Sequence, residues 1–187
     1  MSLLAAYPDR GLNFVAGDGA ELIDARGDRY LDLMSNYGIA IFGHRHPVLK
    51  DALARQLDRL TNLHGSFQSA VRTEAAEVLI ARCGGGLARV AFSSSGAEAN
   101  EAALKFVALA SGKKRFIACR GGYHGKTLGA LSATDGAKYR AAFEPLLWDF
   151  GFVPYDDPSA LEAAIDDRTA GFIVEPIQGE SGVVLPR

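Results

Sequence analysis

Apolar positions change their spacing along the chain, and the change predicts the elements. Near the start, Leu22, Ile23, Tyr30, Leu31 and Leu33 flank an Arg26-Gly27-Asp28 turn, the pattern of a β-hairpin with two short strands. From about residue 47 the pattern becomes an alternation of helix and strand. Pro47 suits the first position of a helix, where its missing N–H costs nothing. Leu49, Leu53, Leu57 and Leu60 then recur at spacings of four, four and three, one apolar stripe. A second helix is predicted from about Ala70 to Cys83, closed by Gly84-Gly85-Gly86, which suits a left-handed cap. Arg89 to Phe92 reads as a short buried strand and Ala97 to about Ala110 as a helix ended by Gly112. Phe116 to Cys119, Gly151 to Tyr155 and Ala170 to Val174 read as further strands, with a short helix over Ser159 to Asp166. Strands separated by helices predict an α/β fold, a mainly parallel sheet with helices on both faces. Such sheets bind ligands at the carboxyl ends of their strands, so polar, glycine-rich strand ends are where chemistry is expected.

Composition narrows the function. The chain has 187 residues, 48% of them hydrophobic, with 20 Lys and Arg against 22 Asp and Glu and a formal charge of −2. That length can bury a real core, and the near-neutral balance with no basic block lacks the electrostatic footprint of a nucleic-acid binder. The longest run free of charged residues and histidine is the eleven residues from Leu33 to Gly43, too short to cross a hydrocarbon core. The start has no basic segment followed by a long apolar run, so it does not read as a secretory signal. Cys83 and Cys119 are isolated cysteines that neither staple a domain nor form a zinc site, and a reducing cytoplasm fits.

Three predicted strand ends carry polar residues. At Phe92-Ser93-Ser94-Ser95-Gly96-Ala97-Glu98 a strand runs into hydroxyls, small residues and a helix start, whose free N–H groups and dipole make an anion site. A capping box of Ser95 with Glu98 explains the same residues structurally. At Arg120-Gly121-Gly122-Tyr123-His124-Gly125-Lys126-Thr127 the Gly-Lys-Thr is not a nucleotide P-loop, because Arg120 stands where that motif needs its first glycine. Tyr123 remains, a flat ring between glycines that can stack on a flat ligand or simply sit at the surface. At Val174-Glu175-Pro176-Ile177-Gln178-Gly179-Glu180 two carboxylates leave a strand end, with Pro176 fixing the bend between them. They can orient a ligand, pair with a cation or lie in a solvated loop. Together the three ends describe a pocket for a flat phosphorylated cofactor.

The stretches 92–101, 123–134 and 174–180, with Gly38-Ile39-Ala40 and Gly43-His44-Arg45-His46-Pro47 before them, strongly resemble the class III, pyridoxal-phosphate-dependent aminotransferases of the ornithine, acetylornithine and 4-aminobutyrate group. The resemblance covers almost the whole chain. It implies an incomplete fold-type I architecture, with residues 1–46 belonging to the small domain and 47–187 to the first part of the large cofactor domain. It implies pyridoxal 5'-phosphate as cofactor, its phosphate held by the N–H groups of Gly96 and Ala97 with the Ser95 hydroxyl nearby. Tyr123 would stack on the pyridine ring beside His124, and Glu175 would be an active-site glutamate near the cofactor. Tyr37, Lys126 and Glu180 would face substrate. In several members the residue matching Glu180 pairs with a C-terminal arginine that gates the two half-reactions. The implied partners are a small amino donor, a 2-oxo acid acceptor and a second subunit in a homodimer, with no nucleic acid and no membrane.

Two departures from the family stand out. Lys126 occupies a position where acetylornithine and ornithine enzymes carry an arginine that grips a substrate carboxylate, and an ammonium lacks that bidentate fork. The chain also stops at Arg187, ahead of the region where the family places the aspartate of the pyridinium nitrogen and the Schiff-base lysine. Lys50, Lys105, Lys113 and Lys114 read as solvated, and Lys138 stands in no recognisable context. The expectation is therefore no catalytic residue within this stretch, and no transamination by these residues alone. Aminomutases, decarboxylases and racemases share the scaffold, and a non-catalytic phosphate-binding or assembly module is the reading from another class. His44 and His46 lack a third ligand at a zinc-like spacing. Cys83 and Cys119 are expected to be packed thiols, and no basic cluster is placed to activate them.

Overall fold

The computed structural model describes Leu4 and residues 7–187. The chain forms two compact units, residues 1–75 and 76–187. The division falls inside a helix, α3 (Ala70–Cys83), whose bounds match the sequence expectation.

The first unit opens with an antiparallel meander of β1 (Phe14–Asp18), β2 (Glu21–Asp24) and β3 (Arg29–Leu31), in the order β1-β2-β3. The expected hairpin is its second half. Its turn is built around the buried Asp24 carboxylate, which accepts the N–H groups of Arg26 and Asp28, each at 2.9 Å, while Gly27 takes φ 92°. An aspartate that satisfies turn amides this way replaces backbone partners the turn cannot supply. A single turn, α1 (Ser35–Gly38), follows, with Asn36 and Tyr37 in the left-handed region. Asp32 spans this loop. Its Oδ1 accepts the Ser35 N–H at 2.8 Å, and its Oδ2 lies 2.9 Å from His44 Nε2. Pro47 begins α2 (Pro47–Leu57) as expected. The stripe of Leu49, Leu53, Leu57 and Leu60 is exposed.

In the second unit three parallel strands, β4 (Arg115–Cys119), β5 (Asp149–Val153) and β6 (Thr169–Ile173), form a sheet in the order β5-β4-β6. The central strand is buried along Phe116, Ile117, Ala118 and Cys119. Side chains alternate across a strand, which separates two packing faces. Ile117, Cys119 and Val153 pack against Ala160, Leu161 and Ala164 of α7 (Pro158–Ala164). Phe116 stacks on Trp148 and Phe150. Beside it, Gly171 leaves room for Val107 of α4 (Gly96–Ser111), 3.1 Å from where a Cβ would stand. Helices therefore cover both faces.

Residues 89–92, expected as a strand, are irregular, and all but Val90 are exposed. The apolar run is present, but a strand exists only through a ladder, and none of the sheet strands pairs with it among the described residues. Two short helices, α5 (Leu128–Ala133) and α6 (Ala137–Arg140), lie between β4 and β5. Small side chains let α5 bury Gly129 through Ala133. Both its ends are closed from outside: Glu101 Oε1 accepts the N–H groups of Gly129 and Ala130 at 2.8 and 3.1 Å. Arg140 Nη1 donates to the carbonyls of Leu131, Ser132 and Thr134. Cys119 is buried as expected, whereas Cys83 is exposed, because it sits at the open end of α3. No helix among the described residues is long and apolar enough to cross a membrane.

Candidate active site

The start of α4 is a formed cap. Ser95 Oγ accepts the Glu98 N–H at 3.2 Å, and Glu98 Oε2 reaches back to the Ser94 N–H at 2.8 Å. The structural reading of these residues is thus realised, with Ser94 in place of the cap residue's own N–H. It does not exhaust the site. Ala99 N–H bonds to Ser95 O, and helix geometry leaves the N–H groups of Gly96 and Ala97 without intrahelical acceptors. A Cβ built on Gly96 would meet nothing within 4 Å. Two amides without intrahelical acceptors thus lie at the positive end of a sixteen-residue helix, with open space beside Gly96, an arrangement that suits an anion.

The loop after β4 is pressed onto this helix start. A Cβ on Gly125 would stand 2.7 Å from Ala97 Cβ and 3.0 Å from Ala130 Cβ, and its φ is 131°. Asn100 Nδ2, one turn into α4, donates to the His124 carbonyl at 2.7 Å. The loop is tied equally to the end of β6. Tyr123 N–H donates to Glu175 Oε2 at 2.8 Å, Gln178 Nε2 to the Arg120 carbonyl at 2.9 Å, and Ser181 Oγ to the Gly121 carbonyl at 2.6 Å. Gly121 N–H is taken by Asp135 Oδ2 at 2.8 Å. The second unit therefore brings Ser95, Gly96, Ala97, Tyr123, His124, Glu175, Lys126 and Glu180 to one end of one sheet. Tyr37 belongs to the first unit, exposed on the left-handed turn after Asp32.

Three environments differ within the cluster. Tyr123 is half-buried, its ring meeting the Tyr139 edge at 5.5 Å and 67°. The His124 side chain is buried, and its Nε2 has no hydrogen-bond partner. Burial pushes this imidazole below its ordinary range, with the nearby Glu175 charge pulling the other way, so it is neutral near pH 7. Burial and then the Glu175 charge raise the Cys119 thiol, which keeps it an unreactive packed group. Glu180 is exposed and accepts from the Tyr139 hydroxyl, with Lys138 Nζ 3.5 Å away. The Tyr139 hydroxyl, followed by the Lys138 and Lys126 charges, holds this carboxyl below the usual range.

Asn100, Tyr139 and Lys138 escape sequence reasoning because their partners are far along the chain. A cavity of about 260 Å³ also opens at the strand ends, on the α7 face, lined by Cys119, Val153, Leu161, Val174, Pro176 and Pro186 with Asp156, Asp157 and Glu175. Apolar walls and carboxylates without a basic group make it unsuited to phosphate.

Residues 6–187 match the family model described as aminotransferase class-III. The acetylornithine aminotransferase of Methanopyrus kandleri is 42% identical over all of this chain and 47% of its own length. The LysW-aminoadipate semialdehyde/glutamate semialdehyde transaminase of Sulfolobus acidocaldarius is 40% identical over 98% of this chain and 47% of its own. Among solved structures, the ornithine aminotransferase of Toxoplasma gondii ME49 superposes with a TM-score of 0.90 at 33% identity, over 100% of this chain and 46% of that one. An amine transaminase from an uncultivated Pseudomonas species, solved in its PLP-bound form, gives 0.85 at 31% identity, over 100% and 49%. The chain spans about half the length of the curated relatives it matches.

Proposed function

The chain belongs to the class III aminotransferase family, and from that premise we propose that it is the phosphate-gripping and ring-stacking portion of a transaminase. The reaction proposed is transfer of an amino group from an ω-amino donor of the acetylornithine or ornithine kind to 2-oxoglutarate. The observation that carries the reading is the start of α4, where helix geometry leaves the Gly96 and Ala97 amides without intrahelical acceptors and the space beside Gly96 is open, while the Tyr123 loop is packed against the same turn.

The residues present fit pyridoxal 5'-phosphate. The Gly96 and Ala97 amides supply donors to a dianion with the Ser95 hydroxyl beside them, and the absent Gly96 side chain keeps the approach clear. Bound there, the cofactor supplies an electron sink for the carbanion that transamination generates. Tyr123 would present its ring to the heterocycle, its backbone fixed by Glu175. His124, neutral and enclosed, would back the loop rather than carry charge to the cofactor. Lys126 and Glu180 would meet the substrate with opposite charges, and Tyr37 is the further residue that the family resemblance assigns to substrate. Partnership in a homodimer belongs to the same proposal, as does the assignment of residues 1–46 to a small domain.

We also propose that residues 1–187 alone do not transaminate. Lys138 Nζ is held 3.5 Å from Glu180 Oε1 and 4.4 Å from the centre of the Tyr139 ring, and Lys126 is assigned to substrate, so neither is proposed as the amine that carries the cofactor.

The test is to reconstitute the full-length protein with pyridoxal 5'-phosphate and assay acetylornithine, ornithine and 4-aminobutyrate against 2-oxoglutarate. Glutamate formation from an ω-amino donor is expected. A cofactor-bound protein that racemises or decarboxylates these compounds without forming glutamate would replace the reading with another reaction of the scaffold.

A further inference from the structure

Tyr139 touches two groups to which separate roles are assigned. Its ring edge lies against Tyr123 at 5.5 Å and 67°, while its hydroxyl donates to Glu180 Oε1. Lys138 reinforces the second contact from both sides, with Nζ 3.5 Å from Glu180 Oε1 and 4.4 Å from the centre of the Tyr139 ring. A cation over the ring and beside the carboxylate stabilises both members of the pair.

The bases of this arrangement are fixed independently. Tyr139 stands on α6, where the neighbouring Arg140 donates to three carbonyls at the end of α5 and Tyr139 N–H bonds to the Gly136 carbonyl at 3.1 Å. Glu180 stands between Gln178 and Ser181, which anchor their loop to the Arg120 and Gly121 carbonyls. With both backbones held, the hydroxyl bears on the Glu180 side chain and the ring on Tyr123.

We propose that Tyr139 is a positioning residue that couples the Glu180 carboxylate to the Tyr123 ring, with Lys138 as second anchor, and thereby sets the balance between amino donor and dicarboxylate acceptor. The inference rests on the assignment of Glu180 to substrate and Tyr123 to cofactor. Its chemistry is charge compensation. A dicarboxylate entering beside Glu180 meets a like charge, which the Tyr139 hydroxyl and Lys138 ammonium neutralise and turn aside. Released from them, Glu180 swings free and repels the acceptor, which carries two carboxylates, more than acetylornithine, whose single carboxylate is balanced by its ω-ammonium. The lowered protonation range of Glu180 agrees with a carboxylate already held by donors.

The experiment uses the full-length holoenzyme with Tyr139→Phe, Lys138→Met, Glu180→Gln and the Tyr139→Phe/Glu180→Gln double variant. Two quantities are read for each: the KM values for acetylornithine and 2-oxoglutarate, and the Kd of glutarate, a non-reacting dicarboxylate, from the change it causes in cofactor absorbance. Tyr139→Phe is expected to raise the 2-oxoglutarate KM and the glutarate Kd about fivefold, the loss of one charge-assisted hydrogen bond at a partly exposed site. The donor KM should move less than about twofold in the same variant, with the unliganded cofactor spectrum unchanged. Lys138→Met should act in the same direction, and the double variant should match Glu180→Gln, since the hydroxyl then has no charge to hold. A Tyr139→Phe enzyme with unaltered acceptor constants, in a background where Glu180→Gln does alter them, overturns the proposal and leaves the Glu180 assignment standing. Unaltered constants in Glu180→Gln overturn both. Equal loss of donor, acceptor and cofactor binding in Tyr139→Phe shows a merely structural residue and also overturns it.

Discussion

The amide of Tyr123 lies 2.8 Å from Glu175 Oε2, so a residue at the end of β6 holds the backbone of the loop that follows β4. A hydrogen bond to a charged acceptor is worth about 1.5–3 kcal/mol, and here it holds the backbone of Tyr123, the residue proposed to stack on the cofactor. Glu175→Ala is therefore expected to weaken pyridoxal 5'-phosphate binding to the full-length protein by about 10- to 100-fold, read from cofactor absorbance against concentration. Glu175→Gln keeps an acceptor and should lose less. Indistinguishable affinities in Glu175→Ala and the parent protein would remove Glu175 from the platform.

Gly96, at the start of α4, and Gly125, packed against Ala97 beside it, should fail in different ways. Gly96 has open space around its missing Cβ, so Gly96→Asp costs no packing, and an acid in the first turn of a helix is stabilising by roughly 0.3–1 kcal/mol. A like charge about 4 Å from the phosphate costs about 4 kcal/mol at an effective dielectric near 20, roughly a thousandfold in Kd. Thermal stability without cofactor should hold or rise while cofactor affinity collapses. Gly125→Ala places a methyl 2.7 Å from Ala97 Cβ at φ 131°, and is expected to cost about 1–3 kcal/mol of stability. Thermal melts and cofactor titrations on both variants separate the two outcomes, and a Gly96→Asp protein with parental cofactor affinity would empty the site of its anion.

The pH dependence of stability carries the signature of His124. Burial lowers its pKa from the ordinary 6.5, so below that value the unfolded chain takes up a proton that the folded chain refuses. Unfolding then binds a proton, and the contribution of His124 is present in full above the unfolded pKa and lost as pH falls through the folded one. Its partnerless Nε2 gives the folded state no acceptor to retain that proton. Between about pH 7 and pH 5, His124→Asn in the full-length protein should show a shallower fall in urea midpoint than the parent. Parallel slopes would mean that the imidazole titrates as freely in the fold as outside it.

Much of this was legible in the sequence where the signal is local. Ser95 and Glu98 announce a helix start, Gly112 its left-handed end at φ 71°, and the apolar run from Phe116 to Cys119 a central strand. Elements whose partners are distant were not legible. The helix α5 depends on Glu101, 28 residues before Gly129, and a run of small residues alone predicts no cap. Arg89 to Phe92 has the composition of a strand but lacks a ladder, a fact about neighbours that composition does not carry. At the site, the glycine-rich loop and the two carboxylates stand out by residue type. The Tyr139–Glu180 contact spans 41 residues and joins a tyrosine and a glutamate that have nothing unusual around them in the chain.

Lys126 offers the sharpest substrate test. It is exposed at the end of the Tyr123 loop, between Gly125, which abuts Ala97, and Thr127, and its charge reaches Glu180, the carboxylate proposed to face substrate. An ammonium offers a point charge, whereas a guanidinium grips a carboxylate through two parallel hydrogen bonds. In the full-length holoenzyme, Lys126→Arg is expected to raise kcat/KM for acetylornithine about tenfold relative to cadaverine, an ω-amine without the carboxylate, since one added charge-assisted bond is worth about that ratio. Cofactor Kd should stay within about twofold, because the proposed phosphate donors are backbone groups of a different element. Steady-state kinetics on the two donors and a cofactor titration measure both quantities. If donor preference stays fixed while cofactor is lost, Lys126 serves the cofactor, and the substrate must be recognised by other residues.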